Sequence, residues 1–371
     1  MRTPPTPSPG ARIRPPSPGA GTAAGVAPLL GALDSGPGDR ASRSIEVARA
    51  LGALVPAPGS GATAERWQVL ADLSAADLTA GRVAEAHLDA LAILEEGEVP
   101  DGDLLPLGVD AGSTWGVFAA EAPGARLTAA ACQAHGPAGG DAEHTGWELA
   151  GVKPWCSLAG RLSHALVTAH VEGGRRLFAV PLRHPGVRVT DDPWVSRGLA
   201  DVPSGPVVFD RVPAVPVGGT DWYLQRPGFA WGGIGVAACW FGGLLALARS
   251  LHRAARRRPP DQIALLHLGA ADIAVHRCRC VLDDAARRVD AGAADGTQGT
   301  ALALRVRSVV ADAAEELLQR AGHALGPGPL TGDEDHARRV ADLTVYVRQH
   351  HAERDLAARG SQVADSPVAP W

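Results

Sequence analysis

A chain of 371 residues can bury a sizeable core and exceeds one average domain, so two or three domains are expected. Its formal net charge of −5 gives no bias toward nucleic acid or an anionic membrane surface, and the 46% hydrophobic content rests largely on Ala, a helix former. Five cysteines, odd in number and without a Cys-x-x-Cys pair, argue against a disulfide framework or a thiolate metal centre and fit a reducing cytoplasm.

Residues 1–36 are rich in Pro, Gly, Ser and Thr and read as a disordered tail; Arg2, Arg12 and Arg14 among prolines do not make a signal peptide. Residues 37–112 read as a helical domain. Ile45, Val47, Ala48, Leu51 and Leu54 follow helical spacing, and further helices are predicted over 64–73 and 76–94, with Ser74 as a plausible cap of the second. From 113 to 220 the pattern shifts to short alternating runs, at 115–120, 127–132, 146–149, 165–171, 176–181 and 206–212. These predict a small antiparallel β-barrel or sandwich. Residues 221–361 are helical again. Helices over 228–256, 262–290, 300–321 and 335–360 would form a four-helix bundle, and 362–371 a second tail. The run from Gly228 to Leu251 is the most apolar of the chain. It has Arg249 inside and reads as a buried helix rather than a membrane span. The fold class is therefore α+β multidomain: helices, small β domain, helical bundle.

The most informative stretch is Gly146-Trp147-Glu148-Leu149-Ala150-Gly151-Val152-Lys153-Pro154-Trp155-Cys156-Ser157. It reads as two short strands about an Ala150-Gly151 turn, with Trp155 and Ser157 on one strand face. An indole and a hydroxyl so placed can hold a flat, polar-edged ligand, the ring by stacking and the hydroxyl at the ligand's edge. A plain hairpin with a core Trp is the alternative.

This stretch resembles the acyl-CoA dehydrogenase segment of general form G-(aromatic)-x-L-x-G-x-K-x-W-(I/C)-(T/S). The resemblance implies that Trp155 stacks on the isoalloxazine ring of FAD and that Ser157 bonds flavin N5. Upstream, Ala120-Glu121-Ala122-Pro123-Gly124-Ala125 is similar to the family's T-E-P-G-A-G-S-D loop, with the Thr replaced, one residue inserted and Arg126-Leu127 in place of Gly-Ser. It implies flavin contacts from Ala119, Ala120 and Glu121. Residues 78–90 resemble the last helix of the family's N-terminal domain, and 209–214 its exit strand. The turn at 322–328 resembles x-G-G-x-G, which places Gly322 and Gly326 against the FAD diphosphate or adenine. Arg257 and Arg258 stand where the family has an Arg on a neighbouring subunit's FAD diphosphate, here without the accompanying Phe-Gly.

The family's catalytic Glu is missing. With Ala341-Asp342 aligned on the family's Arg-Asp, its position falls at His350, and Glu353 lies three residues on. An imidazole near neutrality can serve as a base. It can equally bond a flavin oxygen adduct, as in the flavin monooxygenases that share this fold. The resemblance thus implies an FAD-dependent enzyme that dehydrogenates an acyl thioester, with acyl-CoA as the implied substrate. Its alternatives are a monooxygenase fed reduced flavin by a partner reductase, and a flavin-free structural subunit. A homodimer or homotetramer, an electron-transfer flavoprotein or a flavin reductase are the implied partners, and lipid metabolism the implied setting.

Overall fold

The computed structural model describes residues 22–36, 38–133, 145–190, 193–257 and 259–369. The first 21 residues of the expected tail and Arg258 lie outside the described residues. Part of that tail is helical: α1 (Thr22–Ser35) buries Val26 and Leu33. Then follow α2 (Arg40–Gly52), α3 (Thr63–Ala76), α4 (Leu78–Glu96) and a short α5 (Asp101–Leu104). Ser74 lies inside α3 and does not cap α4. Asp77 does so, its Oδ1 accepting from the main-chain N–H groups of Thr79 (2.8 Å) and Ala80 (3.3 Å).

The strands are β1 (Trp115–Phe118), β2 (Leu127–Gln133), β3 (Thr145–Lys153), β4 (His164–Val171), β5 (Gly174–Pro181), β6 (Val187–Val189) and β7 (Val207–Val217). The Ala150-Gly151 pair is not a turn. β3 runs straight through it, with a register shift against β7 between Leu149 and Gly151. Gly151 has φ +121°, and a Cβ there would stand 2.2 Å from the Arg126 carbonyl, so the bulge requires glycine. The sheet is mixed rather than purely antiparallel, because β1 and β2 both pair with β4 in parallel. The ladders run β4–β2–β3–β7–β5 and back to β4, so the path closes on itself, while β1 and β6 attach outside it.

Past the short α6 (Trp222–Gln225), the chain forms α7 (Pro227–Arg257), α8 (Gln262–Asp290) and α9 (Gly296–Leu325). α7 is long and apolar enough to cross a membrane, but 83% of its most apolar window is buried inside the protein, as in a core helix. The small α10 (Gly328–Gly332) precedes α11 (Glu334–Tyr346). The expected helix over 335–360 is broken. A 3₁₀ turn at Val347–Gln349 ends α11, Ala352 takes φ +49°, and α12 (Glu353–Ala364) starts afresh. One hydrophobic cluster continues from the N-terminal helices through the sheet into α7, α8 and α9.

Candidate functional site

β3 ends at Lys153, and the chain leaves it through two residues with left-handed backbone, Trp155 (φ +59°) and Leu158 (φ +58°). Two main-chain bonds hold this exit in place: Cys156 N–H to the Gly205 carbonyl (3.0 Å) and Leu158 N–H to the Pro203 carbonyl (2.8 Å). Strand alternation therefore does not bring Trp155 and Ser157 together. The turn does. The result is an indole that is 57% exposed, unusual for a ring of this size, at the wall of a cavity of about 1280 Å³. Ser157 lines the same cavity, its Oγ 2.8 Å from Ser204 Oγ and within 3.4 Å of the Arg82 guanidinium.

Ala119, Ala120 and Glu121 also line the cavity, so five of the residues singled out in the sequence meet there. The Glu121 carboxylate is turned onto the sheet. It accepts from Lys153 Nζ at 2.7 Å, with His170 and Arg175 at 3.7 and 3.6 Å. Lys153 is 1% exposed and also donates to Thr168 Oγ1 at 2.8 Å. Burial pushes the Glu121 carboxyl up, but the Lys153 bond and charge outweigh it and hold it below its ordinary range.

Part of the cavity wall comes from α4. Arg82, Glu85 and Asp89 recur at helical spacing on one face, and all three line the cavity. Arg82 donates to Glu85 at 3.0 Å, and Arg226 approaches Asp89 at 3.7 Å while bonding Glu96. Burial raises the Glu85 carboxyl to about 7 against the pull of Arg82, and it raises that of Asp89 as well. The sequence signal for this wall is the charged stripe 82–85–89 beside the apolar one.

No protein-family model matches the chain, and no curated protein matches it. Solved structures do. The structure of KijD3 in complex with FMN and dTDP-3-amino-2,3,6-trideoxy-4-keto-3-methyl-D-glucose is similar at 20% identity and TM-score 0.72, covering 97% of both chains. TdsC from Paenibacillus sp. A11-2, solved with FMN and indole, is similar at 16% identity and TM-score 0.74, over 94% of this chain and 98% of that one. Butyryl-CoA dehydrogenase from Megasphaera elsdenii is similar at 15% identity and TM-score 0.62, over 80% of each. The chain has the acyl-CoA dehydrogenase-like fold.

Within this acyl-CoA dehydrogenase-like fold, the remaining sequence-derived positions lie away from the cavity wall. His350 is buried, 8% exposed, with Nε2 3.1 Å from Ser308 Oγ and its ring edge-on to Trp240. Burial depresses its basicity despite Asp355 nearby. Glu353 is exposed in the first turn of α12. From this break Arg348 and Gln349 line the cavity, followed by His351 and Asp355. The last two are bonded to each other, with Asp355 accepting from the His351 main-chain N–H (3.1 Å) and its Oδ1 3.2 Å from His351 Nδ1. Arg257 is exposed at the end of α7. Gly322 lies in the last turn of α9, and Gly326 follows it with φ +66°.

Proposed function

We propose that the chain is a flavin-dependent oxidoreductase that works as a monooxygenase on a small molecule, drawing reduced flavin from a partner reductase. The observation that carries this is the fate of the family's base: its position falls at His350, which is buried against Ser308 and Trp240 and does not face the cavity. An acyl-CoA dehydrogenase needs a carboxylate facing its substrate to remove the α-proton. KijD3 and TdsC, each aligned over nearly all of its length, were solved with FMN, and TdsC is described as a dibenzothiophene monooxygenase.

The exposed ring of Trp155 would stack on the flavin, the Ser157 hydroxyl would meet its edge, and the main chain at Ala119 and Ala120 would approach it from β1. Reduced flavin supplies the two electrons with which oxygen is activated. This chain's residues orient the flavin, wall out water and handle protons. We read the flavin as FMN rather than the FAD implied by family resemblance, because the KijD3 and TdsC structures both hold FMN. We read the closed strand path as the small barrel of this fold, and the chain as a cytoplasmic homodimer or homotetramer.

The dehydrogenase reading survives on one observation. Asp355 lines the cavity two residues beyond Glu353 and could take the base's part. Purified protein loaded with FMN or FAD and desalted, then given an acyl-CoA panel without oxygen, separates the two. Retained flavin that stays yellow, with oxygen-dependent turnover once a reductase supplies reduced flavin, supports the monooxygenase. Anaerobic bleaching by an acyl-CoA overturns it in favour of dehydrogenation. Failure to retain either flavin, with no turnover once a reductase supplies reduced flavin, would make the chain a structural subunit.

A further inference from the structure

The α4 face of the cavity carries chemistry that the flavin reading does not use. We propose that Glu85 is the acid–base residue of the cavity, taking a proton from the substrate group presented to α4 and coupled through Arg82 to the Ser157 hydroxyl. The geometry is a continuous polar line. Ser157 Oγ accepts from Arg82 at 3.4 Å, and the same guanidinium donates to Glu85 at 3.0 Å. All three residues line the cavity, and the Glu85 side chain is only 11% exposed. One end of the line therefore stands where the plane set by Trp155 has its reactive edge, and the other where a substrate filling the cavity would rest.

The substrate class follows from the donor and the acceptor. It carries an X–H group of weak acidity, an ammonium N–H or a phenolic O–H, that must shed its proton before the nitrogen, or the ring conjugated with the oxygen, can be oxygenated. The X–H bond breaks, its electron pair stays on X, and the proton passes to the Glu85 carboxylate, which becomes neutral. No oxidant is needed for this step. Asp89, one turn on, is committed to Arg226 and lies further along the wall.

The charges around Glu85 keep it poised. Arg66 on α3, Arg82 on its own helix and Arg307 on α9 favour the carboxylate. Burial and Asp89 favour the carboxylic acid. Tyr346 on α11, Cys239 on α7 and Tyr223 also face it. All three are held neutral by burial, so they set no charge of their own. The Tyr346 hydroxyl is paired with the Cys239 thiol.

The coupling rests on the flavin reading, whereas the ionisation of Glu85 does not, so two readouts are needed. The first is infrared titration of protein labelled with isotopic glutamate, in the parent, Glu85→Gln and Asp89→Asn. A glutamic acid carbonyl band appearing as pH falls through about 7, lost in Glu85→Gln and kept in Asp89→Asn, is expected. The second is the midpoint potential of bound FMN against pH. A break in slope near the same pH in the parent, absent in Glu85→Gln and weakened in Arg82→Lys, is expected. A parent without that carbonyl band, or a band that persists in Glu85→Gln, overturns the proposal, and so do identical potential curves in flavin-loaded parent and variant. A parent that shows the band but retains no flavin overturns the flavin reading and, with it, the coupling to Ser157.

Discussion

Trp155 keeps a large aromatic ring in the open on a backbone conformation that a branched or aromatic residue rarely adopts, which costs on the order of 1 kcal/mol or more. Such an arrangement is worth keeping where the ring has a partner to stack on. Trp155→Ala should therefore weaken flavin binding by roughly tenfold or more, since stacking adds roughly 0.5–1.5 kcal/mol beyond the area it covers. Quenching of flavin fluorescence on titration measures it, and an unchanged Kd would remove Trp155 from the site. At this scale the sequence was legible where the cavity lining lies in local motifs. Trp155, Ser157 and residues 119–121 lie in two short motifs, and the fold brings the motifs together. Arg82, Glu85 and Asp89 escaped because charges at helical spacing look alike whether they face water or a cavity. His350 was read as the base from its alignment position, and only the Ser308 and Trp240 contacts reveal that its ring is turned inside, off the cavity.

Helices α3 and α7 touch through Gly242, where a Cβ would stand 2.2 Å from the Ala71 carbonyl. Gly242→Val should overpack this crossing and cost about 1–3 kcal/mol, read as a lower denaturation midpoint with an unchanged slope. The segment after residue 193 supplies Trp194, Leu199, Val202 and Ser204 to the cavity and is tied to α11 by one buried bond, Leu199 N–H to Asp342 Oδ1 at 2.6 Å. Burial raises the Asp342 carboxyl to about 6. The folded state then binds a proton more tightly than the unfolded chain. Asp342 thus contributes stability fully present below the ordinary carboxylate range and lost as pH rises through about 6. In thermal melts of parent and Asp342→Asn, the difference should move in the parent's favour as pH falls from 7 to 4, and a pH-independent difference would refute this. The long helices were legible because a 3.6-residue apolar period persists over many turns. The bulge at Gly151 and the parallel pairing of β1 with β4 were not, since each depends on a strand far away in sequence. Nor was the break at Ala352, where no Gly or Pro marks the stop.

Across the whole molecule, the cavity is a joint product of the N-terminal helices, the sheet and the bundle, and the shared hydrophobic core binds those parts into one body. The outer face of α8 stands apart from that core. Ile263, Leu266 and Ile273 lie along it at 62%, 54% and 67% exposure. A stripe of this kind suits a copy of the same chain. Light scattering should give a dimer or tetramer for the parent and a lower order for Leu266→Glu/Ile273→Glu, and a monomeric parent would end the homo-oligomer reading. The closed strand path has a consequence of another kind. Among the described residues its joints are unequal: β2 and β3 meet over seven residue pairs, β4 and β5 over eight, but β2 and β4 over the single pair Thr128–His170. A ring opens at its thinnest stitch. Amide protons on either side of that seam should exchange first while the other ladders stay protected. His170, whose ring reaches Glu121 at the cavity wall, would then feel each opening as a loosening of the loop that roofs the site.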